Sequence, residues 1–143
     1  MPSELLRTAD AVVAALNAAA LPLPFTAERH YQPQYDLAEM KDLHVSVVPR
    51  GVEVSQAARG KGTFDYKVDV AVQKKFEKGD AAELDPLMEL AGEIAELFRA
   101  KRLADFPEAA WVKTEHAPVY AQEHMQELRQ FTSVMTLTFR VTR

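Results

Sequence analysis

Residues 64–76 read FDYKVDVAVQKKF, and this alternation decides the fold. Phe64, Tyr66, Val68, Val70 and Val72 fall on one side of a period of two, while Asp65, Lys67, Asp69 and Gln73 fall on the other. Successive side chains of a pleated strand point to opposite faces. The pattern therefore predicts a long strand with one buried face and one face left to water or to a partner. Upstream, residues 43–48 repeat it, with Leu43, Val45 and Val47 inward and His44 and Ser46 outward. Pro49-Arg50-Gly51 reads as a tight turn or a bulge carrying the strand into residues 52–55, and Pro49 suits an edge position. Residues 56–63, QAARGKGT, are expected to form a flexible basic loop, so that the two strands make an extended hairpin.

Working outward, a first helix is expected from the Ser3 N-cap to about Ala19, with Leu5, Ala9, Val12, Val13 and Leu16 as its buried stripe. The Leu-Pro-Leu-Pro run at 21–24 ends it. A strand is predicted over 25–31, then a polar, acidic connection over 32–42 holding one short helical turn around Leu37 to Met40. After a charged turn at Gly79-Asp80, a second helix is read with Asp85 as N-cap and Pro86 in its first position. Its stripe is Leu87, Leu90, Ala91, Ile94, Leu97 and Phe98, and Arg99, Lys101 and Arg102 sit where the helix dipole favours cations. Residues 111–115 and 130–142 are read as strands, the latter with Phe131, Met135, Leu137, Phe139 and Val141 inward. The conformation of 121–128 stays open, as one or two helical turns. Helix, hairpin-bearing strands, helix and two strands predict an α+β domain: a mostly antiparallel sheet with two helices packed on one face.

At 143 residues, with no internal repeat, one domain spanning 1–143 is expected. A formal net charge of −4 argues against a general nucleic-acid binder, which carries a basic excess. The absence of cysteine excludes thiolate metal sites and cysteine nucleophiles. The opening MPSELLRTAD lacks signal-peptide anatomy, and no apolar run reaches membrane-spanning length, so a cytoplasmic start is expected.

No motif supplies a catalytic seat. Gly60-Lys61-Gly62-Thr63 fails as a phosphate loop: Gly62 follows the lysine, Ser55 stands where the first glycine belongs, and a strand follows where a helix is required. Glu28, His30 and His44 could approach one another across paired strands as a metal or acid–base site, but surface histidines explain them as well. Glu89 and Glu93 lie one turn apart on a solvated helix face. Catalytic, cofactor-binding and metal residues are accordingly set at none. What remains points to contacts. Thr132, Val134, Thr136, Thr138 and Thr142 line the outward face of the last strand, where β-branched residues suit packing against another chain.

The element order, together with LHVSVVPRGVEV (43–54), DYKVDVAVQKKF (65–76), LDPLMELAGEIAELF (84–98) and RQFTSVMTLTFRV (129–141), resembles the tail terminator proteins of long-tailed bacteriophages, of the lambda gpU type. The resemblance covers most of the chain and rests on no signature residue. It implies a non-enzymatic virion protein without cofactor, assembled in the host cytoplasm as a homo-oligomeric, hexameric ring. Such a ring caps the head-proximal end of the tail tube, ends its polymerisation and presents a head–tail joining surface. Implied partners are further copies, the tail tube protein and the head-completion or neck proteins, with DNA near the lumen and no membrane. Under that reading Arg50, Arg59 and Lys61 on the hairpin, and Thr132, Thr136 and Thr138 on the last strand, are the expected interface residues. Two rival readings are another neck or head-completion protein and a small metal- or ligand-binding α+β enzyme.

Overall fold

Six strands form one sheet in the order β1-β2-β3-β6-β5-β4, and helices lie on one of its faces. The computed structural model describes residues 3–32 and 42–143. The helical turn expected around Leu37 to Met40 lies outside the described residues. The elements are α1 (Glu4–Ala18), β1 (Ala27–Arg29), β2 (His44–Ala58), β3 (Lys61–Lys75), α2 (Ala81–Phe98), β4 (Arg102–Leu103), β5 (Phe106–Glu115), a π-helical turn (His124–Leu128) and β6 (Gln130–Thr142). Every pairing is antiparallel except that of β1 with β2. The α+β fold is thus as the alternation predicts.

The centre of the sheet is the ladder of β3 with β6, in unbroken register from Thr63 opposite Thr142 to Lys75 opposite Gln130. Paired residues share a face, so Tyr66, Val68 and Val70 lie beside Phe139, Leu137 and Met135. All six are buried. Burial of such a side chain stabilises by about 1.5–3 kcal/mol, which makes this inner face the main apolar core. Both helices cover it. Glu4 of α1 accepts a hydrogen bond from the Tyr66 hydroxyl at 2.9 Å, and Phe98 of α2 stacks edge-on against Phe139, the cross-strand neighbour of Tyr66.

Several boundaries differ from the sequence reading, each for a local reason. The strand expected over 25–31 shrinks to three residues, and the Asn17 side chain closes its outer edge. Ala27 N–H donates to Asn17 Oδ1 at 2.8 Å, and Asn17 Nδ2 donates to the Ala27 carbonyl at 3.1 Å, as a neighbouring strand would. β2 passes through Pro49 without breaking and bulges at Arg50. The Val47 carbonyl points outward to accept from His30 N–H. Two residues on, Pro49 nitrogen points the same way, so its missing donor falls on the open edge.

The expected loop over 56–63 is instead strand on both sides of a two-residue turn, Arg59-Gly60, with Gly60 in the left-handed region at φ 77°. Arg143 exchanges both backbone hydrogen bonds with Gly62, at 2.8 and 3.0 Å, which holds the start of β3 in the ladder. Helix α2 begins five residues earlier than predicted, at Ala81 rather than Pro86. Asp80, not Asp85, caps it, accepting from Glu83 N–H, so Pro86 lies within the helix. Arg99 follows the last turn rather than lying in it, and grips Glu96. At the other end β5 starts at Phe106, earlier than read, and the short β4 pairs with it.

Candidate functional site

Helix α1 begins at Glu4, over Tyr66, and the hairpin runs on past it. Cross-strand pairing puts Val52 with Tyr66 and Val54 with Phe64 on the helix-side face of that overhang. With no helix above them, Val52 is 47% and Val54 59% exposed. Beside them an open cleft of about 660 Å³ is floored by Leu5, Val52, Val54 and Phe64 and rimmed by Glu4, Arg7 and Arg143. The rim is braced: Arg143 donates to Glu4 at 2.7 Å and lies over the Phe64 ring, 4.1 Å from its centroid. Phe64 in turn stacks near-parallel with Tyr66. Burial pushes the Tyr66 hydroxyl above its ordinary pKa, and the neighbouring Glu4 carboxylate adds to the shift. At the tip, Arg59 and Lys61 are exposed and belong to no ion pair among the described residues.

The opposite face of the sheet behaves differently from expectation. Thr132, Thr136 and Thr138 do lie on the outer face, but they are only 6, 7 and 1% exposed, where an open surface was expected. The cause is that short side chains in the middle of a sheet are walled in by longer neighbours. Thr138 sits in register with Lys67 on one side and Lys113 on the other. Thr136 donates to Asp69 at 2.6 Å and accepts from Arg50 at 2.8 Å. Thr132 is held by His124 at 2.9 Å and by Gln130 at 2.8 Å. Arg50, expected at an interface, is therefore tied across β2, β3 and β6. Further pairs cross the same face, Glu53 with Lys67 at 3.7 Å and Asp65 with Arg140 at 2.8 Å. The Arg140 guanidinium holds the Asp65 carboxyl below its ordinary pKa.

Of the proposed acid–base trio, Glu28 and His30 meet at 3.3 Å, while His44 stands across from Gln73 at the start of β2. No group of three metal-ligating side chains occurs among the described residues. Glu89 and Glu93 are exposed on α2. Gly60 to Thr63 form the hairpin turn and the start of a strand, with no helix N-terminus behind them. What sequence reasoning missed is the exposure of Val52 and Val54. Their alternation with Glu53 was readable, but whether a helix reaches that far depends on where α1 starts over the sheet.

No protein-family model matches the sequence, and no curated protein matches it. Among solved structures, the chain is similar to the sheath/tube terminator of an extracellular contractile injection system (PVC) in its extended state, with a TM-score of 0.48 and 13% identity. That similarity covers 100% of this chain and 57% of the other, so this chain spans little more than half its length. Function is accordingly read from this chain's own residues.

Proposed function

We propose that this chain is a structural subunit of a tail, one that closes into a ring, caps the tube and ends its growth. The exposed pair Val52 and Val54, beside the half-buried Phe64 at the hairpin end, carries this reading. Exposed valines beside a cleft, on a chain where Arg50, Asp69, Glu53, Lys67, Asp65 and Arg140 of the outer face pair with one another, suit a surface made for a protein contact. The likeness of residues 43–54, 65–76, 84–98 and 129–141 to phage tail terminators supplies the kind of assembly. A closed ring of six copies at the head-proximal end of the tube, with one rim toward the tube protein and the other toward the neck proteins, is the form we propose. In such a ring Arg59 and Lys61 reach a neighbour. Arg50, Thr132, Thr136 and Thr138 serve it by stiffening the sheet.

Light scattering of the purified chain, followed by negative-stain imaging, tests the ring: closed particles of about six copies are expected by cyclic symmetry. The charge-reversed R59E/K61E variant should keep the native circular dichroism spectrum and lose the large species. A variant that assembles as well as the native chain would remove the tip from the interface.

A further inference from the structure

Exposed apolar side chains also occur away from the hairpin end. Val119, Leu128 and Val134 are 36, 42 and 38% exposed, and they lie around the first half of β6. There β5 has ended, and residues 116–129 fold over the edge, with Ala121 N–H donating to the Thr132 carbonyl. Val134 pairs with Ala71, and Val54 with Phe64, seven residues earlier on β3. Seven is an odd step, so Val54 faces the helix side of the sheet and Val134 the outer side, about 24 Å apart along the strands at about 3.4 Å per residue.

The charges near these two surfaces are opposite. Arg59 and Lys61 stand at the hairpin tip beyond the first surface, whereas the exposed Glu123 and Glu127 lie in the π-helical turn and its approach beside the second, all four in no ion pair among the described residues. Of the nearby cations, Arg129 donates to the Glu77 carbonyl and lies over Phe76, while Lys75 stands on β3 in register with Gln130.

We infer that successive copies of this chain pack head to tail, the hairpin end of one laid over the β6 end of the next. Val52 and Val54 then meet Val119, Leu128 and Val134, with Arg59 and Lys61 facing Glu123 and Glu127. The inference rests on the ring reading and names its contact. A two-fold pairing of like surfaces would set the tip cations against each other, or the turn carboxylates against each other. The opposite charges favour the heterologous contact, which repeats from copy to copy until a ring closes.

The native chain has no cysteine, so single cysteines report directly. V54C and L128C are prepared separately, mixed and oxidised, with E93C, on the exposed face of α2, replacing V54C as the control. The expected result is a mixed V54C–L128C disulfide several-fold more abundant than the E93C–L128C product. Adding R59E/K61E to the V54C chain should abolish it, and adding E123K/E127K to the L128C chain should restore it. A mixed yield no greater than the control, or charge reversals without effect, overturns the pairing. Light scattering of the native chain separates this from the ring reading. Closed rings without the mixed disulfide refute the pairing and leave the ring; a specific disulfide in open oligomers refutes the ring and leaves the pairing.

Discussion

Asn17 shows how much one side chain can decide. Its amide meets both backbone groups of Ala27, giving a three-residue strand an outer neighbour it otherwise lacks. Ala27 is 2% exposed, so removing that amide leaves a buried N–H and carbonyl unsatisfied. N17L should cost about 1–3 kcal/mol in urea unfolding, and N17D, which keeps the acceptor and loses the donor, should fall between it and the native chain. Equal losses for the two variants would deny the amide its two-sided role. Nothing in the sequence marks Asn17, since its contact lies ten residues on, beyond the two prolines. His116 gives a second single-residue effect. Its imidazole bonds Ser133 at 2.7 Å, and burial holds its pKa below the ordinary value of 6.5. The unfolded chain therefore takes up a proton that the fold resists. Stability from this group is complete above about pH 6.5 and falls as pH drops toward the lower folded value. Comparing urea midpoints at about pH 7.5 and 5.5, H116N should show a smaller drop than the native chain; an unchanged drop would assign the pH dependence elsewhere.

The start of α2 is where sequence patterns misplaced an element boundary. Asp85-Pro86 is a strong start signal, but the true cap lies five residues earlier and the helix begins at Ala81. The deciding group is Glu83, whose carboxylate accepts from the N–H groups of Glu77, Lys78 and Gly79, which keep it below its ordinary pKa. Together with Asp80 it ties the turn before the helix to its first residues, so the cap forms early and Pro86 falls at the sixth helical residue. D80A should then cost about 1 kcal/mol, and D85A, at an exposed helix position, much less. The reverse order in chemical denaturation would restore the later cap. The hairpin tip was misread for a related reason. QAARGKGT has the composition of a loop, but Gly62 and Thr63 are fixed by Arg143 and Thr142, partners some 80 residues away. The central alternation was legible because both neighbours of β3 impose the same period. The burial of the outer threonines was not, because it depends on Lys67, Lys113 and Arg50 around them.

For the whole molecule, the question is which apolar surface belongs to folding and which to assembly. The sheet beneath the helices is sealed, with Val68, Val70, Leu137 and Phe139 all at 0% exposure. Beyond the start of α1 the same alternating strands continue uncovered, so Val52 and Val54 keep about half of their area for a second copy. Each 100 Å² of apolar surface buried there would be worth about 2.5 kcal/mol before the costs of association. V54D therefore separates the two roles. Because Val54 is 59% exposed, the substitution should leave the urea midpoint close to the native one. It should still abolish the large species in light scattering, since it sets a carboxylate in the apolar contact and opposite Glu123 and Glu127. Salt should act in the same selective way: the tip contact joins exposed charges, so ionic strength well above 0.15 M, where screening acts over less than about 8 Å, should weaken assembly more than folding. If V54D lowered the urea midpoint as a core substitution does, by several kcal/mol, the hairpin strip would be part of the fold and its exposure no sign of a partner. If it left both folding and assembly unchanged, the ring would close through another surface, and the open edge of β2 beyond Val47 would be the next place to look.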